Sequence, residues 1–160
     1  MRLHPFSRLT LLPGLLVMLG VSAAAAGGQA STHVGGRVGY NFDTREVMFS
    51  ANLTVPMTSR VEFYPSIDVY APDQGNRIGY NGDVKVRFPM VPGPQFYAGG
   101  GLGVVSRTVG DFSDTDLGAN LLLGLESRSG YVHPFVEGKV LLRDNSQFQL
   151  IGGLNLTIGR

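Results

Sequence analysis

Residues 97–105 read YAGGGLGVV, with Gly99, Gly100, Gly101 and Gly103 crowded into five positions. Such a stretch is either a loop that cradles phosphate or a strand with unusual side chains, and register separates the two. Phe96, Ala98, Gly100, Leu102 and Val104 share one parity, while Gly99, Gly101 and Gly103 share the other. That is the two-residue period of a β-strand with an apolar face and a bare face. Both phosphate motifs fail. No Gly-Lys-Ser/Thr follows, and Val104 or Ser106 stands where a GxGxxG frame needs its last glycine. No helical pattern follows to offer its N-terminus to an anion.

The same period runs outward in both directions. Segments of about ten residues alternate apolar with polar or small side chains, which is a β pattern of membrane-barrel length. Eight are present: His33–Asn41, Val47–Val55, Arg60–Tyr70, Ile78–Phe88, Phe96–Val105, Leu117–Glu126, Val132–Leu142 and Gln147–Ile158. Between them lie FDTRE (42–46), PMTS (56–59), APDQGNR (71–77), PMVPGPQ (89–95), SRTVGDFSDTD (106–116), SRSG (127–130) and RDNS (143–146). Each is short enough to join antiparallel neighbours, and the Asp, Asn, Ser, Pro and Gly content suits turns. The predicted fold is all-β: an eight-stranded antiparallel up-and-down barrel, closed because closure removes both sheet edges.

Upstream, Arg2 and Arg8 precede an apolar run from Leu9 to Val21, and Ala24 and Ala26 form an A-x-A cleavage signal. This predicts a cleavable signal peptide over residues 1–26 and one barrel domain over 27–160. The run is shorter than the ~20 residues a spanning helix needs and is broken by Pro13 and Gly14. The chain has no Cys, which excludes a disulfide framework, a catalytic thiol and a lipoprotein anchor. With 13 Lys and Arg against 12 Asp and Glu, two of the basic residues lying in the leader, there is no basic excess for nucleic acid.

The polar face decides which way the barrel turns. Across all eight strands it carries nine charges: Arg37, Glu62, Asp68, Asp83, Lys85, Arg87, Glu126, Glu137 and Lys139. Four are basic and five acidic, diluted by Gly, Ser and Asn. As a water-facing surface the set is sparse, and Lys85 and Lys139 are the chain's two lysines. As the filling of a narrow barrel it fits, provided the charges pair, since an unpaired buried charge costs several kcal/mol. The expectation is therefore a transmembrane barrel with a lumen charge network and its Val, Leu and Phe face outward. One register of the 71–77 hairpin, with Tyr70 opposite Gly79, sets Glu62 directly opposite Arg87. Tyr40, Phe42, Tyr70, Tyr80, Phe88, Phe96, Tyr131 and Phe148 fall near strand ends, as interfacial girdles do.

These features, FYAGGGLGVV (96–105), DTDLGANLLLGLE (114–126), HPFVEGKV (133–140) and the closing FQLIGGLNLTIG (148–159), make the chain resemble the small outer-membrane β-barrels of the opacity-type and OmpA-like eight-stranded group. The resemblance implies a bacterial outer-membrane location, periplasmic turns at 56–59, 89–95 and 127–130, and outer loops at 42–46, 71–77, 106–116 and 143–146. It implies outer-membrane lipid and the outer-membrane assembly machinery as partners, and a monomer. Members with long loops bind host or phage surfaces; here 106–116 is the longest outer loop. The family's usual terminal aromatic is replaced by Ile158 and Arg160.

The sequence carries no pattern from which catalysis is expected. His33, His133 and Glu137 share the polar face but read as hydrogen-bonded interior groups, not a metal site. Ser106 and Ser113 fall at the opposite end from His133, which argues against a serine esterase. Asp111, Asp114 and Asp116 lack the flanking pattern of a Ca²⁺ loop. No cofactor or catalytic residue is assigned. The expected role is structural or surface interaction, against the alternatives of a soluble periplasmic barrel binding an apolar molecule and a lipid-modifying enzyme.

Overall fold

The structure, a computed structural model, describes residues 31–88 and 93–158. The expected signal peptide lies outside the described residues. Eight strands form in chain order: β1 (His33–Asn41), β2 (Glu46–Pro56), β3 (Val61–Ala71), β4 (Asn76–Phe88), β5 (Gln95–Val109), β6 (Phe112–Glu126), β7 (Val132–Leu142) and β8 (Gln147–Thr157). Each strand pairs antiparallel with its sequence neighbours. β1 then pairs with β8, from His33 opposite Thr157 to Asn41 opposite Gln149, and closes the barrel.

The alternation of the sequence becomes an inside and an outside. Outward-facing apolar side chains remain exposed on every strand, among them Val38, Phe49, Val69, Val86, Leu102, Leu121, Val136 and Leu154. Inward-facing side chains are buried although most are polar: Arg37, Asp68, Asp83, Lys85, Glu137 and Lys139 are all at most 5% exposed. A few apolar groups also fill the interior, chiefly Met48, Tyr70, Phe135 and Ile151 in one cluster and Tyr64, Tyr97 and Leu122 in another. The barrel thus inverts the usual globular arrangement.

Aromatic rings gather at the two rims of the outer face. At one end Tyr40 meets Phe42 edge to face at 5.1 Å and Phe42 stacks on Phe148 at 5.7 Å, and Phe88 meets Phe96 at 5.7 Å at the other. Tyr70 departs from the expected girdle. Its parity places it inside, 4% exposed, where its hydroxyl accepts from Gln149 Nε2 at 2.9 Å.

Two expectations are corrected. The stretch 106–116 is not a loop: β5 and β6 continue through it, pairing Arg107 with Asp114 and Val109 with Phe112. The connection shrinks to Gly110 and Asp111. Gly110 has φ +59°, the value a two-residue II′ hairpin needs at its first position. The result is a hairpin standing clear of the rim, with Phe112 85% exposed near its tip. The β3–β4 register also differs by two residues: Glu62 lies opposite Lys85 and Tyr70 opposite Arg77. The turn is shorter than expected, Pro72 to Gly75, which draws Arg77 into the barrel.

The glycine-rich stretch lies in β5, with Lys85 opposite Gly99, Asp83 opposite Gly101 and Asn81 opposite Gly103. A Cβ added at Gly101 would sit 2.1 Å from the carbonyl oxygen of Gly82 and 2.6 Å from Asp83 Cα. Backbone cannot yield as a side-chain tip can, so β4 and β5 would have to separate. Gly101→Leu is expected to cost about 3 kcal/mol or more through overpacking, read as a lower unfolding midpoint and loss of the folded band on an unboiled gel. A Gly101→Leu barrel as stable as the parent would refute the close approach.

Candidate functional site

The interior is the candidate site, and it divides into three layers along the barrel axis. The middle layer centres on Arg37 of β1. Its Nε donates to Ser50 Oγ at 2.8 Å, Nη1 to Tyr64 Oη at 3.0 Å and Glu137 Oε1 at 3.3 Å, and Nη2 to Ser66 Oγ at 2.7 Å and Asp68 Oδ1 at 2.8 Å. One planar fork therefore joins β1, β2, β3 and β7, a task its fixed donor geometry suits. Asp68 also accepts from Ser50 Oγ at 2.6 Å and Asn81 Nδ2 at 2.8 Å, and Glu137 from Tyr97 Oη at 2.9 Å.

Beside it, Lys139 donates to Asp83 at 3.1 Å, and Asn120 Nδ2 donates to Asp83 and Asn81 at 2.9 and 3.0 Å. Lys85 has no carboxylate within salt-bridge distance among the described residues. Its ammonium lies over the ring of Tyr64, 3.4 Å from the centroid, with Tyr97 at 4.6 Å. Two ring faces supply the negative potential that a carboxylate supplies elsewhere. Tyr97 reaches this position across Gly124, its partner on β6: a Cβ there would lie 2.4 Å from the Tyr97 ring. Gly124→Val is accordingly expected to push Tyr97 off Glu137 and lower stability by about 1 to 3 kcal/mol. Tyrosine fluorescence and a urea titration in micelles would report both changes, and an unaltered spectrum with unaltered stability would contradict the contact.

At the end where β1 begins and β8 finishes, Arg87 Nη2 lies 2.6 Å from Glu62 Oε2 and 2.6 Å from Glu126 Oε2. Arg128 reaches the same two acids, at 2.6 Å to Glu62 and 3.8 Å to Glu126. Asn155 donates to Glu126 at 2.7 Å and accepts from Asn52 at 2.8 Å. The pair that sequence reasoning chose, Glu62 with Arg87, does meet, as a diagonal neighbour through a register other than the expected one. A double-mutant cycle on Glu62 and Arg87 is expected to give a coupling of about 0.5 to 3 kcal/mol, and zero coupling would remove this contact from the network.

All nine polar-face charges read from the sequence point inward. The structure adds Glu46, Arg77 and Arg128, which sequence reading had placed in turns. Arg77 pairs with Glu46, donates to Gln147 Oε1 at 2.7 Å and lies 4.4 Å over Tyr70. Parity could have found the first two, since Glu46 continues the even-numbered inward series of Met48 and Ser50, and Arg77 the odd series of Asn81 and Asp83. With these three the set becomes six basic against six acidic, and Arg143 of the β7–β8 turn stands apart from it with its Nε and Nη2 buried and unpaired.

The histidines His33 and His133 come together at the end where β1 begins, ring centroids 4.9 Å apart. His133 is held at Ser127 O (3.1 Å) and Thr157 Oγ1 (3.0 Å). Glu137 lies elsewhere, bound to Arg37 and Tyr97, so the three do not converge. Among the described residues no group of three or more His, Asp or Glu has metal-binding geometry. Ser106 and Ser113 pair toward the projecting hairpin, at the opposite end of the barrel from both histidines.

No protein-family model and no curated protein sequence matches the chain. Among solved structures, the class it resembles is the small eight-stranded outer-membrane β-barrel. The N-terminal β-barrel domain of Pseudomonas aeruginosa OprF aligns with a TM-score of 0.71 at 15% identity, covering 82% of this chain and 100% of that one. Neisserial surface protein A (NspA) aligns at 0.62 and 10% identity, covering 80% and 95%. The outer-membrane enzyme PagL aligns at 0.51 and 14% identity, covering 79% and 99%. At these identities the likeness is one of fold.

Proposed function

We propose that the chain is an integral outer-membrane β-barrel with a structural or surface-interaction role and no catalytic activity. The observation that carries this reading is the inverted polarity. A continuous apolar outer face bounded by aromatic rims suits hydrocarbon, and a paired polar interior suits a lumen. A soluble barrel that binds an apolar molecule would need the opposite arrangement. The filled interior, with Tyr64, Tyr97, Lys85 and Lys139 wholly buried, supports a structural role over conduction.

The termini and the turns after β2, β4 and β6 face the periplasm in this reading, and the β5–β6 hairpin projects outward. Surrounding lipid and the outer-membrane assembly machinery are its partners, and the chain acts as a monomer. The separation of Ser106 and Ser113 from both described histidines favours a non-catalytic barrel over a serine esterase. The test is cellular: the protein should stay in the membrane after carbonate extraction and run faster on gels before boiling than after. Recovery in the soluble periplasmic fraction would overturn the proposal.

A further inference from the structure

The loop end of the barrel holds a cavity of about 290 Å³ whose walls include Arg77, Arg143, Glu46, Asp116, Gln147 and Thr44. Its size is near the lower limit of small-molecule sites. The wall is polar but not uniformly satisfied. Arg77 is fully engaged by Glu46, Gln147, Thr44 at 3.3 Å and the Tyr70 ring. Arg143, in the β7–β8 turn, is not: its Nε and Nη2 are closed off from solvent and have no hydrogen-bond acceptor among the described residues. No carboxylate lies within 4 Å of it there. Burial holds its guanidinium below the ordinary value, Arg77 adding to the effect against the opposing pull of Tyr70, Asp116 and Asp68. An oxyanion in the cavity would offset the cost of the charge.

We infer that this cavity binds a sugar-sized polyhydroxyl ligand carrying one phosphate or carboxylate, with Arg143 receiving the oxyanion. The planar fork of a guanidinium matches either group in two parallel hydrogen bonds. The Asp116 carboxylate offers an acceptor that suits hydroxyl groups and would not suit a bare second anion, whereas the Gln147 carbonyl and the Thr44 hydroxyl already accept from Arg77. The order of preference follows: a sugar phosphate above inorganic phosphate, and both above the neutral sugar. The ligand can be free in solution or borne on a glycolipid of the surrounding leaflet.

The full mature chain, refolded in neutral maltoside micelles, should be titrated with glucose 6-phosphate, inorganic phosphate and glucose, followed by amide chemical shifts. Glucose 6-phosphate should bind tightest, with shifts confined to the loop end. Arg143→Gln should weaken it about tenfold or more, the loss of charge-assisted hydrogen bonds. Arg60→Gln, an exposed turn residue at the opposite end, should leave the affinity unchanged, and heat-modified gel mobility verifies that both variants are folded. In phosphatidylcholine nanodiscs, added lipopolysaccharide should weaken glucose 6-phosphate if the leaflet supplies the ligand and leave it alone if the ligand is free. Equal binding of glucose and glucose 6-phosphate, no binding at all, or an Arg143→Gln barrel that binds normally would each overturn the inference. None of these outcomes depends on where the protein resides.

Discussion

Arg37→Met should lower the unfolding free energy of the barrel by about 3 to 5 kcal/mol, the cost of leaving buried charges without their partner. The arginine is 5% exposed, and its ion pairs with Asp68 and Glu137 are both shut off from water. Removing it also deprives Ser50, Ser66 and Tyr64 of their donor. Reversible urea unfolding in micelles measures the loss. The triple variant Arg37→Met, Asp68→Asn, Glu137→Gln should recover much of it, because it removes the stranded charges along with the partner. If Arg37→Met alone costs less than about 1 kcal/mol, within the range of an exposed pair, the network does not hold the barrel together.

Leu121→Arg should cost about 2 to 4 kcal/mol in a bilayer. Leu121 points outward, 53% exposed, midway along β6 between Leu125 at one rim and Leu117 toward the other. Its neighbours across the ladder are Gly100 and Val140, which offer no partner for a guanidinium. On a water-soluble barrel the same exposed substitution would fall within about 0.5 kcal/mol of neutral. Unfolding from phosphatidylcholine vesicles decides between the two, and an effect near zero would count against lipid contact at this face.

How much of this was legible in the sequence follows from what a period of two can and cannot carry. Parity assigns a face to every residue, so Arg37, Asp83, Lys85 and the other six charges could be placed inside without knowing any pairing. Register is different. A shift of one residue would turn each side chain over, but the two-residue shift found between β3 and β4 leaves every face unchanged. The hydrophobic pattern is blind to it, and the length of the turn at Pro72 to Gly75 decides. Strand ends were hidden for another reason. Glu46, Arg77 and the polar run from Ser106 to Asp116 look like turns by composition, yet backbone pairing continues through them. Tyr70 sits at a strand end, and proximity to an end outweighed its even parity in the sequence reading. Arg128 lies in a turn, and nothing in its local sequence points it at Glu62 and Glu126.

The interior network also bears on how the chain reaches its final state. Arg37 and Glu137 are separated by 100 positions, Asn52 and Asn155 by 103, and His33 and the Thr157 hydroxyl that it meets by 124. No hairpin contains both halves of any of these contacts. A half-built sheet can pair Glu62 with Arg87 inside the β3–β4 hairpin, but Arg37 meets Glu137, and Asn52 meets Asn155, only when β1 closes on β8. Closing that seam completes a set of mutually dependent bonds in one event, so assembly should be late, slow and all-or-none, as expected where contacts are distant in sequence.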